Sequence, residues 1–211
     1  MKLVLMVAAP LLIFAIGWGM LSRRRNIPCP SWLGWLVELD NPLFRNNRAS
    51  AIAGGLGLRP GMTVLDAGCG PGRLAIPMAR EVGPGGRVVA LDLQAGMLRK
   101  AQERAKSAGL DNIVFEQGDI AGCETGEGVF DRAVLVTVLG EVPDRRAALQ
   151  AIFKALKPGG VAAITEVVAD PHFQPRPSVI RLAEDAGFRE RSRSGNFLSY
   201  TLYLEKPPIS Q

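Results

Sequence analysis

The chain has 211 residues, enough for one α/β domain with a full core but short for two. Its net charge is +5, yet no basic run interleaved with aromatic residues follows from it, so no nucleic-acid partner is expected. Cys29, Cys69 and Cys123 are odd in number and widely spaced, which points away from a disulfide framework and from a zinc site; no metal is expected.

Residues 3–21, LVLMVAAPLLIFAIGWGML, carry no charge and are just long enough to cross the hydrocarbon layer as one helix. A secretory signal is the competing reading. Against it, the run exceeds the usual apolar stretch of a signal and is followed by Arg23, Arg24 and Arg25 in place of a small-residue cleavage site. The arginines place the C-terminal side in the cytoplasm. Residues 1–25 are therefore expected to be a single-pass transmembrane anchor. In the segment 26–47, Trp32, Leu33, Trp35, Leu36 and Val37 recur at helical spacing, which fits an interfacial helix or a lid on the domain that follows.

Residues 48–211 read as one α/β domain. A helix over 47–56 leads in, Pro60-Gly61 punctuates, and strand one runs over 62–66. Helices at 72–82 and 95–108 alternate with strands at 87–92 and 112–117. Strand four, at 132–138, precedes a helix over 145–156 that Asp144 caps. A Lys157-Pro158-Gly159-Gly160 turn leads to strand five at 161–168, a helix spans 178–186, and strands at 188–194 and 197–206 form a hairpin about Gly195-Asn196. Such alternation predicts a mainly parallel sheet with right-handed crossovers.

The most informative stretch is 64–72, VLDAGCGPG. A buried strand ends in an acid and a glycine-rich turn, where Gly68, Gly70 and Gly72 let the backbone turn sharply and present N–H groups to a ligand. The dinucleotide pattern G-x-G-x-x-G fails, because Arg73 holds its third position. Strand two ends in Asp92 and strand three in Gly118-Asp119, so three strand-end acids face one crevice.

The series VLDAGCGPG, VVALDLQAGML, EQGDI, VTVLGEVPD and LKPGG resembles the class I S-adenosylmethionine-dependent methyltransferases, and is similar to their ubiquinone/menaquinone C-methyltransferase branch, over about residues 59–207. The resemblance implies a Rossmann-like fold with seven strands, mainly parallel and closed by an antiparallel hairpin, with S-adenosyl-L-methionine as cofactor. It assigns Asp92 to the ribose hydroxyls, Leu93 and Met97 to the two sides of the adenine, and Asp119, beside Gly118 and Ile120, to the adenine amino group. Asp66 and the turn Gly68, Cys69, Gly70 and Gly72 would hold the methionine end, and Val136 completes the cofactor set.

The acceptor side is less legible. Gly140-Glu141 stands where many relatives carry a pair of histidines. Glu141 and His172, the one histidine in the chain, are the candidates for removing an acceptor proton. The expected activity is methyl transfer to a lipophilic small molecule, a quinol or a lipid headgroup, at the membrane. The alternatives are a soluble metabolite or a metalloid such as arsenite as acceptor, or a regulator that binds cofactor without catalysis. The oligomeric state is open.

Overall fold

A computed structural model describes residues 47–122 and 126–208. The expected anchor at 1–25 and all but Asn47 of the segment 26–47 lie outside the described residues. Among those described, no helix is long and apolar enough to cross a membrane.

Seven strands, β1 (Thr63–Ala67), β2 (Arg87–Asp92), β3 (Ile113–Gln117), β4 (Phe130–Val136), β5 (Leu156–Val167), β6 (Arg189–Gly195) and β7 (Ser199–Glu205), form one sheet. Their order is β3-β2-β1-β4-β5-β7-β6. β1 to β5 are parallel, and β7 runs antiparallel to both β5 and β6. The helices are α1 (Ala49–Leu56), α2 (Ala75–Val82), α3 (Ala95–Ser107), α4 (Arg145–Ala155) and α5 (Arg176–Asp185).

The central strands are apolar because both faces are covered. Alternate side chains divide between two cores. Val64, Val88, Val134 and Ala163 pack with α1, α2 and α3, while Leu65, Val89, Leu135 and Ile164 pack with α4 and α5. Asp144 caps α4 as expected, its Oδ1 accepting the Ala147 N–H at 2.9 Å. β6 is exposed along its whole length, and its Arg189, Glu190, Arg191 and Arg193 make that edge a poor template for another strand.

Two expectations need correction. The turn expected at 157–160 is absorbed into β5, which starts directly after α4. Pro158 has no N–H to lose, Gly159 takes a left-handed φ of 76°, and its N–H donates to the Lys206 carbonyl at 2.8 Å, so the end of β7 satisfies the would-be turn. Phe197, expected in the last strand, lies instead in the β6–β7 turn.

Candidate functional site: a crevice at the carboxyl ends of the strands

The chain winds outward from β1 through β2 to β3 and then returns to β4 on the other side of β1. Ligands bind at such a reversal of strand order, outside the carboxyl ends. Here the loops after β1 and β4 meet, since a Cβ on Gly68 would drive into the Val138 side chain.

Asp66 is the last residue but one of β1, on the face that carries α1 to α3. Its carboxyl is buried, and burial above all pushes its pKa up to about 7, with Arg73 opposing and Asp92 adding to the shift. The Ala75 N–H at the start of α2 donates to one oxygen, whereas Oδ2 has no hydrogen-bond partner among the described residues. A buried acceptor left unmade costs about 1–3 kcal/mol, and a cationic ligand group would relieve both the missing bond and the repulsion between the carboxyls.

The glycine turn works differently from expectation. Gly68, Gly70 and Gly72 all have positive φ, at 77°, 53° and 84°, so the backbone does require them. Their N–H groups, however, are engaged within the protein. Gly68 and Cys69 donate to the Leu91 carbonyl at 2.8 and 2.9 Å, Gly72 donates to the Cys69 carbonyl at 3.0 Å, and Gly70 donates to Asp92 Oδ2 at 2.8 Å. The turn thus offers close approach instead of free donors; at Gly70 an added Cβ would meet nothing within 4 Å. Cys69 is buried, and desolvation first, then Asp66 and Asp92, pushes its thiol well above the usual range.

Asp92 ends β2 and is also buried, which raises its pKa against the hydrogen bonds from Gln94 and Gly70. Its other oxygen accepts the Gln94 N–H at 2.8 Å. Leu93 follows it and is 58% exposed, while Met97, in the first turn of α3, is buried. After β3, the Gly118 N–H donates to the Asp92 carbonyl at 3.1 Å. Asp119 is exposed, and its Oδ1 caps the local turn by accepting from Ala121 at 3.1 Å; Ile120 is buried in the α4/α5 core. Val136 ends β4. The residues expected to hold cofactor therefore follow one another along the carboxyl ends of four adjacent strands.

The acceptor candidates lie beyond β4 and β5, in loops that pack tightly, because a Cβ on Gly140 would collide with the His172 carbonyl. Glu141 closes a turn, its N–H donating to the Val138 carbonyl at 2.9 Å. His172 lies in the loop after β5, as expected, and is buried there; its N–H donates to Asp170 Oδ1 at 2.6 Å and its carbonyl accepts from Gln174 Nε2 at 2.7 Å. Between these loops stands Glu166, which sequence reasoning missed. It is 1% exposed. One oxygen accepts the Gln174 N–H at 3.0 Å and Oε1 has no partner among the described residues. Burial first, with Asp170 and Glu141 nearby, pushes its pKa up to about 8. The sequence signal was a lone acid inside the apolar strand VAAITEVV. Beside it the Tyr200 hydroxyl donates to the Gln174 carbonyl at 2.6 Å, and a cleft of ≈ 200 Å³ opens between Phe173, Pro175, Arg176, Phe197 and Tyr200.

The family model of the methyltransferase domain matches residues 58–191, which spans every strand-end residue above. The chain belongs to the class I S-adenosylmethionine-dependent methyltransferases. A demethylmenaquinone methyltransferase of Lactococcus lactis is 36% identical over 100 residues, 47% of this chain and 40% of that protein. An arsenite methyltransferase of Halobacterium salinarum is 31% identical over 116 residues, 55% of this chain and 30% of that protein. The chain thus spans less than half the length of these curated relatives. The crystal structure of a SAM dependent methyltransferase from Aquifex aeolicus superposes with a TM-score of 0.75 at 22% identity, covering 85% of this methyltransferase and all of the other chain, which shows the shared fold. S-adenosylmethionine is the cofactor of this methyltransferase, and the buried, unpartnered Asp66 Oδ2 with the open approach at Gly70 fits a ligand with a cationic amino acid end.

Proposed function

We propose that this methyltransferase acts at the cytoplasmic face of a membrane, on a lipophilic small-molecule acceptor such as a quinol or a lipid headgroup. The observation that carries the reading is the uncharged run 3–21 followed by three arginines, joined to a methyltransferase domain. A single span with this charge asymmetry holds the domain at the cytoplasmic leaflet. An acceptor dissolved in the bilayer then meets it at raised effective concentration, whereas a soluble one gains little. The relatives named for demethylmenaquinone support the same acceptor class.

When bound, S-adenosylmethionine supplies an electrophilic methyl group on a sulfonium centre, so the protein's work is to position and, for an acidic acceptor, to take a proton. Asp92 holds the ribose hydroxyls through the lone pairs that Gly70 and Gln94 leave free. Asp66 receives the ammonium of the methionine end, Leu93 and Met97 flank the adenine, and Asp119 accepts from its amino group, with Val136 at the floor. Glu141 or His172 receives the acceptor proton.

The second reading, methylation of a metalloid, is favoured by the arsenite relative. Against it, Cys69 is buried beside two carboxyls with its thiol held protonated, a poor thiolate donor. Incubation of the full chain with methyl-labelled S-adenosylmethionine and vesicles carrying demethylmenaquinone reduced to the quinol with dithionite, or a membrane lipid extract under the same reductant, tests the proposal. Label should enter the lipid phase; label appearing in water-soluble products alone contradicts it.

A further inference from the structure

The rim that carries the cofactor crevice also carries an apolar knob. Phe197, Leu198 and Val168 are 81%, 40% and 44% exposed, and they form one patch, because the Val168 N–H donates to the Leu198 carbonyl at 2.8 Å. The turn is built to present it. Asn196 Oδ1 accepts the N–H groups of Leu198 at 2.9 Å and Ser199 at 3.3 Å, and the Asn196 N–H donates to the Ser199 carbonyl at 2.8 Å, so Phe197 is held outward. Next to the knob Arg176 lines the cleft with Phe173 and Tyr200, placing a guanidinium beside apolar and aromatic surface, as at a lipid headgroup boundary. With Leu93, four of the five exposed large hydrophobic residues among those described lie on this rim; Val114, within β3, is the exception.

The chain enters the domain at the same rim. Arg73, which follows the glycine turn, donates from Nη1 to the Asn47 carbonyl at 2.7 Å and from Nη2 to Asn47 Oδ1 at 3.0 Å. From there α1 runs to the opposite edge, where the Leu56 carbonyl accepts from Arg132 Nε at 2.6 Å. Residues 22–46 separate this point from the uncharged run, and when extended they would reach about 80 Å. That reach sets no limit on which face of the domain meets the bilayer, so only the surface of the domain can favour one face.

We infer that the domain docks by this rim onto the bilayer, with the Phe197, Leu198 and Val168 knob in the interface and the cofactor crevice turned towards the lipid. This rests on the anchor reading above. An acceptor would then pass from bilayer to crevice without crossing bulk water. Exposed apolar surface beside cationic and aromatic side chains is the composition of interfacial anchors.

The test uses the full chain with Cys29→Ser and Cys123→Ser, carrying one environment-sensitive fluorophore through Phe197→Cys or, as a control on the opposite edge, Gly85→Cys. Cys69 is buried and escapes labelling. Each protein is placed in phosphatidylcholine/phosphatidylglycerol vesicles with bromine on the acyl chains. The fluorophore at 197 should shift to shorter wavelength and lose emission to bromine, and the one at 85 should do neither. Equal emission at both sites in protein that floats with the vesicles overturns the docking and leaves the anchor standing. Protein that does not float with vesicles overturns the anchor and the docking together. A shift at 197 that appears in detergent without vesicles and grows with protein concentration assigns the knob to a second copy of the chain, and overturns the proposal.

Discussion

The Asp92 carboxylate accepts the Gly70 N–H at 2.8 Å and so ties the end of β2 to the glycine turn after β1. One side chain therefore shapes the turn, and it is also the one proposed to hold the ribose. Asp92→Ala should weaken binding of S-adenosylhomocysteine by about 2–4 kcal/mol, as for the loss of two charge-assisted hydrogen bonds. Calorimetry checks this. Unchanged affinity in the folded variant would remove Asp92 from the ribose.

If Asp66 receives the ammonium as proposed, donor binding should depend on pH. Its folded pKa lies near 7, above the ordinary 3.8, chiefly through desolvation. In the free protein the unfolded chain gives up this proton first, so the contribution of Asp66 to stability falls as pH rises from 3.8 towards 7. A bound ammonium favours the carboxylate, so affinity for S-adenosylhomocysteine should rise with pH up to about 7 and then level off. Asp66→Asn should flatten the profile, and calorimetry across about pH 6 to 8 reads both. A wild-type profile as flat as that of the variant would place the amino group elsewhere.

Glu166 should act mainly through stability. With its pKa at about 8 against an ordinary 4.5, the neutral acid is what the fold accommodates. Stability is greatest at low pH from this group and declines as pH climbs from 4.5 to about 8, the unfolded chain binding fewer protons in that window. Glu166→Gln resembles the neutral acid and should remove that decline, so the variant gains on the wild type as pH rises. Glu166→Ala should cost about 1–3 kcal/mol, because the Gln174 N–H loses its acceptor. Urea titrations at several pH values decide; a wild-type decline retained in Glu166→Gln would assign it to another group.

Gly140 separates the two halves of the site. A Cβ there meets the His172 carbonyl, so Gly140→Ala should push apart the loops bearing Glu141 and His172 while sparing the donor crevice. Turnover should fall well below wild type with S-adenosylhomocysteine affinity unchanged. If one of these loops supplies the base, Glu141→Gln or His172→Asn should slow turnover by about a hundredfold or more. Near-full turnover in both would leave positioning as the whole of the acceptor chemistry.

The elements were legible wherever one local signal dominated. β2 is bounded by charged residues and runs as read, Asp144 caps α4, and the hairpin at Asn196 forms. Reading failed where partners distant in sequence decide the outcome. Lys157-Pro158-Gly159-Gly160 looks like a turn until Lys206 arrives to pair with it. The glycine N–H groups look free until Leu91 and Asp92 take them. The burial of His172 cannot be read until Gly140 packs against it. Glu166 drew no notice because a single acid in a strand has meaning only when its burial is known, and the order in which strands assemble controls burial.

The proposed role of the N-terminal run is to bring this methyltransferase to an acceptor in the bilayer. Its most direct test compares the full chain with a form lacking residues 1–25, at equal concentration, for transfer of labelled methyl from S-adenosylmethionine into a membrane lipid extract, presented first as vesicles and then in detergent. The truncated form should bind S-adenosylhomocysteine as well as the full chain, fall behind it on vesicles, and recover much of the difference in detergent. Equal rates of the two forms on vesicles would contradict the claim.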